Sequence, residues 1–309
     1  MTDVSPVGVP VCYRHSGRET YVRCARCDRP ICPNCMNEAA VGHQCPDCVA
    51  EGRRTQRTAR TAFGAVRGAG ERGYVTLTLL IVNVLMLAWS ALSNPQPLRA
   101  LVGGGGSGLG GALGGETPLM DKLAVIGQVT TTDGATHPYG VANGDYYRLF
   151  TAMFMHYGLL HLLTNMWALW ILGRTLEAML GPARFLALYL VCGLGGSVAS
   201  YVFQPDALSA GASTAIFGLF SALFITLRKL RLSTSGVVPL IVINLIFTFS
   251  VPGISIAGHV GGLVTGLVAG FAVAYAPRSN RTLLQFVGLA LIVVLQIAVT
   301  IYQTGQLNS

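Results

Sequence analysis

The chain has 309 residues, 52% of them hydrophobic and 11% charged, and its mean hydropathy is +0.55. Soluble proteins carry roughly 25% charged residues, so the composition argues against a water-soluble enzyme and for a polytopic membrane protein. The formal charge of +8 does not point to nucleic acid, because the basic residues gather before residue 75 and in short loops between apolar runs, as in a membrane topology signal.

Residues 1–48 read as a small metal-binding module. Seven of the eight cysteines lie here, in the pairs Cys12-x2-His15, Cys24-x2-Cys27, Cys32-x2-Cys35 and Cys45-x2-Cys48, with His43 left as the spare. The first apolar stretch begins near Val75, so this segment is expected to stay in a reducing cytosol, where paired cysteines imply metal rather than disulfides. Zinc takes four tetrahedral N or S ligands, and an x2 knuckle supplies two of them from one turn. Eight ligands make two structural zinc sites, and metal binding would supply the folding energy that so short a segment lacks. The order of pairs resembles the cross-brace zinc modules of the B-box type. That resemblance implies that the first and third pairs share one ion and the second and fourth the other, and that the module contacts a cytosolic protein partner rather than performing catalysis.

Residues 49–74 form an Arg-, Ala- and Gly-rich basic linker with no sustained apolar face, expected as a flexible tether. Seven apolar runs follow, at 75–92, 149–172, 185–203, 212–227, 236–251, 256–276 and 283–301, and none contains Lys, Arg, Asp or Glu. A span needs about 20 residues, so each is read as a transmembrane helix, 236–251 being the weakest. With the N-terminus cytosolic, 18 of the 21 Lys and Arg residues fall inside and only Arg99, Lys122 and Arg148 outside. The expectation is a multi-pass protein of the plasma membrane whose N-terminus is cytosolic and whose C-terminus lies outside. The long outer loop, 93–148, contains the glycine-rich stretch 103–115, too poor in side chains for a packed core. Its remainder, with Leu119, Met120, Leu123 and Val125, is expected at the membrane surface. Cys192, alone in an apolar run, is expected as a small core residue.

Histidines inside a bilayer are costly and mark function by default. His156 and His161 fall in the second run and His259 in the sixth. On the orientation above, the second, fourth and sixth runs all descend from the outside, with Asn165, Ser213 and His259 near their outer ends. A serine hydroxyl becomes a useful nucleophile when a histidine takes its proton, and Ser213 and His259 stand at matching depth. Gly258, Gly262, Gly266 and Gly270 recur every four residues, giving a bare helix face that lets the fourth helix approach closely. His161 and Asn165 are four apart, on one face, where an imidazole N–H, an amide N–H and the Ser213 backbone N–H could hold an oxyanion. No H-E-x-x-H is present, which argues against an intramembrane metal site.

These residues resemble the rhomboid intramembrane serine proteases, from Tyr147-Arg148 through the His156-x4-His161-x3-Asn165 run, Gly173 and Glu177, Gly211-x-Ser213 and Gly258-His259-x2-Gly262. The resemblance implies an all-α polytopic membrane fold, a six-helix core over about 75–276 plus one C-terminal helix over about 283–301, in a membrane domain spanning 75–303. It implies a Ser213–His259 dyad, an oxyanion hole of His161, Asn165 and the Ser213 amide, His156 as a nearby structural histidine, and Phe217 as a ring packed on the base. Arg148 and Glu177 are implied as structural polar residues. Two positions depart from the pattern: Thr214 stands where a glycine usually follows the serine, adding bulk beside the nucleophile, and Tyr147 stands where a Trp often precedes the arginine.

The leading expectation is therefore a serine endopeptidase that cleaves transmembrane protein substrates near the outer membrane face, with no cofactor for catalysis. The alternative is an inactive rhomboid-like protein that binds membrane clients. A transporter would show a charged pathway or inverted repeats, and neither is visible in the sequence.

Overall fold

The computed structural model describes residues 8–56, 58–102, 115–130, 136–137 and 139–309, so the glycine-rich stretch, except for its last residue, lies outside the described residues. The chain divides into two compact units, Met1–Ala59 and Arg60–Ser309.

In the first unit β1 (Val11–Cys12) pairs antiparallel with β2 (His15–Glu19), and β3 (Asn37–Glu38) with β4 (His43–Gln44). Helix α1 (Pro46–Thr55) follows, with Pro46 at its first turn and the Cys45 sulfur accepting from the Cys48 N–H, an arrangement that suits an N-terminus. The buried core consists of six cysteines and Ile31, with Tyr13 and Met36 packed against them. So little aliphatic surface cannot offset the conformational entropy of the segment, and another source of stability is required.

The second unit is a helical multi-pass membrane bundle. Helix α2 (Tyr74–Leu92) leads into α3 (Pro97–Val102), α4 (Pro118–Leu123), a hairpin of β5 (Val129–Thr130) and β6 (Thr136–His137), and α5 (Arg148–Thr151). The bundle continues with α6 (Leu159–Leu180), α7 (Pro182–Phe203), α8 (Ser213–Lys229), α9 (Val237–Ser250), α10 (Ile256–Ala274) and α11 (Arg281–Leu307). Among the described residues, α2, α7, α10 and α11 are long and apolar enough to cross a membrane on length and composition alone. Helix α9 has 14 residues, which at about 1.5 Å per residue falls short of a hydrocarbon core of roughly 30 Å.

Each apolar run coincides with a helix, but the second differs from expectation. The run 149–172 is not one helix: after α5 the chain makes a 3-10 turn over Ala152–Phe154 and runs extended at Met155 and Gly158 before α6 starts. His156 therefore precedes the helix rather than sitting in it. At its other end α6 continues past Arg174 and Glu177 to Leu180. That extension has a purpose: the buried Glu177 carboxylate accepts from the Val75 N–H (3.0 Å), the Thr76 N–H (2.8 Å) and the Thr76 hydroxyl (2.7 Å). Those are the free amides of the first turn of α2, which enters from Gly73 in a left-handed conformation.

One further segment departs from expectation. The last part of the basic linker is packed rather than free: Phe63 and Ala65 are buried, with the Phe63 carbonyl accepting from Gln285 Nε2 and the Ala62 carbonyl from Arg281. The remainder of the outer loop also docks on the bundle, burying Leu119, Met120 and Ala124 against Met155, with Tyr157 alongside. The buried Arg148 guanidinium ties this loop down, donating to Asp145 Oδ2 (2.9 Å) and to the carbonyls of Asp121 (2.6 Å) and Ala124 (3.2 Å). Cys192 is fully buried and faces the close approach at Gly218.

Candidate active site and metal-ligand clusters

Ser213 opens α8, and His259 lies in the first turn of α10, whose N-terminus is capped by Ser255 Oγ accepting from the Gly258 N–H (3.1 Å). The two helices touch along their glycines. A Cβ at Gly262 would collide with the Thr214 carbonyl oxygen, one at Gly266 with the Gly218 carbonyl oxygen, and one at Gly270 would come within 2.8 Å of Ala222 Cα. The ascending order of these pairs makes α8 and α10 parallel and brings Ser213 and His259 to one depth. His259 Nε2 is 2.7 Å from Ser213 Oγ, and the buried imidazole stacks on Phe217 with centroids 4.2 Å apart and planes 17° apart.

Gly211 leaves room for a reacting group. Its φ of 139° suits glycine, and a Cβ there would lie 3.0 Å from His161 Cε1, 3.1 Å from His161 Nε2 and 3.2 Å from Ser213 Oγ. The space between the histidine ring and the serine hydroxyl is thus open only because residue 211 has no side chain. The Tyr157 N–H points at His161 Nδ1 (3.4 Å), which places the ring proton on Nε2, toward that space. The Tyr157 ring stacks on His161 and its hydroxyl donates to the Leu208 carbonyl (2.7 Å), fixing the stack. Asn165 is buried, and among the described residues its Nδ2 has no hydrogen-bonding partner; among the same residues neither ring nitrogen of the fully buried His156 has one, and the His156 ring lies 5.1 Å from that of His161.

Thr214 does not crowd the serine. Its side chain fills the seam beside Gly196 and Gly258, whose missing Cβ atoms make room for it, and its hydroxyl donates to the Gly211 carbonyl (3.4 Å). A site residue that the sequence reading missed is Thr248 on α9. It is buried, and its Oγ1 lies 2.7 Å from His259 Nδ1. No local pattern marks it, because the contact joins two helices whose relative placement is set by the fold.

In the first unit Cys12, His15, Cys32 and Cys35 form one cluster, and Cys24, Cys27, Cys45 and Cys48 the other, with the ligand atoms of each within 4.8 Å of one another. These are the first with the third pair and the second with the fourth; His43 lies in β4, in neither cluster. His15 Nδ1 stands 3.4 Å from the Cys32 and Cys35 sulfurs and 3.7 Å from that of Cys12. A tetrahedral zinc ion with ordinary bond lengths would set these N–S edges at about 3.6 Å and S–S edges at about 3.8 Å. Cys27 and Cys45 are 3.7 Å apart. The donor sets and their spacing fit a divalent ion of zinc's size. Electrostatics points the same way. Burial raises the Cys12 thiol, but N–H groups of Cys32 and Arg14 and the His15 ring outweigh it, leaving it at about 5. Burial and neighbouring thiolates push Cys35 up to about 11 and Cys48 to about 12. The three thiols of one cluster and the four of the other become thiolates together only around a cation, so binding would release protons. Arg29 donates to Cys27 Sγ (3.3 Å) and pairs with Asp47 (3.2 Å), offsetting the negative charge of a four-cysteine site.

Together the fold and the hydroxyl–imidazole pair define a class: a multi-pass helical membrane protein with a half-buried serine and a buried histidine at the adjoining N-terminal ends of two parallel helices. The Rhomboid domain matches residues 143–276, and the chain belongs to the rhomboid family. YdcA of Bacillus subtilis, which also carries the rhomboid name, is 37% identical over 138 residues, covering 43% of this chain and 69% of YdcA. Rhomboid protease GluP of the same organism is 42% identical over 160 residues, 48% of this chain and 31% of GluP. RHOMBOID-like protein 6, mitochondrial, of Arabidopsis thaliana is 36% identical over 175 residues, 54% of either chain. The chain thus spans about a third of the length of GluP and about half that of the plant relative.

Proposed function

We propose that the protein is an intramembrane serine endopeptidase acting on transmembrane protein substrates. The observation that carries this reading is the 2.7 Å contact between His259 Nε2 and Ser213 Oγ. In the proposed reaction Ser213 Oγ attacks the scissile carbonyl carbon while its proton passes to His259 Nε2. The oxyanion accepts from His161 Nε2–H, Asn165 Nδ2–H and the Ser213 N–H, donors of the kind that lower such barriers most. His259 then returns the proton to the leaving amide nitrogen, giving an acyl-enzyme. Water, deprotonated by His259, attacks that acyl carbon and frees Ser213. Substrates are single spans whose helices unwind readily at Gly, Ala or other small residues, because a helical peptide bond is shielded by its own hydrogen bonds.

The same reading assigns six core spans plus one, the dyad at the outer face of the plasma membrane, and a cytosolic N-terminus. Residues 1–48 are the zinc module, 49–74 the connecting segment and 75–303 the membrane domain. The module holds two structural zinc ions through the eight ligands above, and its role is contact with a cytosolic partner. The test is cleavage of a fluorescent transmembrane substrate panel by purified protein in liposomes, comparing wild type with Ser213→Ala and His259→Ala, alongside labelling by a fluorophosphonate. Cleavage and labelling by wild type alone support the reading. An inert wild type that is correctly inserted and unlabelled moves the client-binding alternative ahead.

A further inference from the structure

Thr248 makes two hydrogen bonds that together decide the protonation pattern of His259. Its Oγ1 is 2.7 Å from the Asn244 carbonyl oxygen, one turn back on α9, and 2.7 Å from His259 Nδ1. A hydroxyl has one proton to give, and a carbonyl oxygen can only accept. The Thr248 proton therefore goes to Asn244, and its lone pair faces Nδ1, which must carry the imidazole proton. The lone pair of the neutral ring is then on Nε2, pointing at the serine.

We infer that Thr248 is the positioning residue of the Ser213–His259 pair, holding the imidazole in the tautomer and ring orientation that a general base needs. The inference rests on the dyad reading above. Phe217 cannot do this alone: a stacked ring keeps its plane when it turns over by 180°, yet that turn exchanges Nε2 for a carbon. A hydrogen bond at Nδ1 removes the ambiguity. Among the described residues, the hydrogen-bonding and stacking partners of the His259 side chain are the two hydroxyls and the Phe217 ring, none of them an ionised group. The site thus has the base-and-orienter arrangement of nucleophilic enzymes with a neutral hydroxyl as orienter, fixed by its own backbone carbonyl.

The test uses full-length protein carrying Thr248→Val, which keeps the shape and removes the hydroxyl, and Thr248→Ser, which restores it. Loss of one hydrogen bond to a ring that becomes charged during reaction predicts a fall in kcat of about 10- to 100-fold for the valine variant, with KM within about twofold and most of the rate regained with serine. Nitrogen-15 spectra of histidine-labelled protein, with the His259 signals assigned by their loss in His259→Gln, should show Nδ1 protonated in wild type and in Thr248→Ser and a mixture of tautomers in Thr248→Val. Unchanged kcat and unchanged tautomer in Thr248→Val overturn the inference. So does equal loss in both variants with the wild-type spectrum, which marks a packing role alone. If wild type cleaves nothing, the spectra still read the Thr248–His259 bond, so failure of the dyad reading and failure of this inference remain distinguishable.

Discussion

Replacing Gly211 by alanine should remove activity without unfolding the protein. The new methyl carbon would stand 3.0 Å and 3.1 Å from two atoms of the His161 ring and 3.2 Å from Ser213 Oγ, closer than the 3.5–4.0 Å at which carbon contacts are comfortable. It would occupy the place proposed for the oxyanion. Losing one oxyanion donor costs about 10²–10³ in kcat, and blocking the space should cost at least that. Separately, an L-residue at a φ of 139° carries strain of about 1–3 kcal/mol. Gly253→Ala separates the two effects, because Gly253 also has positive φ but a Cβ there would meet nothing within 4 Å. The assay is kcat with the fluorescent substrate, paired with thermal unfolding in detergent. Both variants should lose stability through backbone strain, Gly211→Ala somewhat more because of its contacts, and only Gly211→Ala should lose the rate. A Gly211→Ala enzyme that cleaves within a few-fold of Gly253→Ala would refute the reasoning.

Gly266→Ala should destabilise the bundle by about 1–3 kcal/mol or more, since its Cβ meets the Gly218 backbone rather than a yielding side chain; Gly305→Ala, with open space around it in the last turn of α11, should not lower the unfolding midpoint. Elemental analysis should find two zinc ions per chain and one after Cys12→Ser, and deletion of residues 1–48 should leave basal cleavage intact in correctly inserted protein. Asp145 is raised somewhat by burial, but the Gly140 N–H and Arg148 outweigh this and hold its carboxyl below the usual range. Its ion pair therefore stabilises the fold fully above the ordinary carboxylate value of about 3.9 and loses that contribution as pH falls through the depressed value. Unfolding midpoints of wild type and Asp145→Asn should accordingly differ at pH 7 and converge as the pH is lowered toward 2; a constant difference would show that the charge is not the source.

Much of the site was legible because its parts are local. The four-residue glycine period of α10 and the small residues after Gly211 announce a backbone contact, and that contact is what brings Ser213 to His259. The cysteine knuckles were readable for the same reason. What stayed hidden depends on distant elements. The break at 155–158 escapes a reading by apolar runs, because Met155 and Tyr157 continue the run without a charged residue and such a reading does not weigh Gly158 as a stop. Phe63 is one aromatic residue among arginines, and only its packing into the bundle core, which no local pattern announces, makes it core. Thr248 sits in the run that looked least like a span, and the bulk of Thr214 could not be placed without the glycines of α7 and α10 that receive it.

Glu177 gives the bundle an order in time. The amides it satisfies at the start of α2 precede it by 101 and 102 residues, so at synthesis rates of about 5–20 residues per second the helix waits roughly 5–20 s for its cap. During that interval the Val75 and Thr76 N–H groups need another acceptor, such as water at the membrane surface. A chain stalled before residue 177 would lack this cap altogether, and α2 would then have only water or a neighbouring acceptor for its first amides.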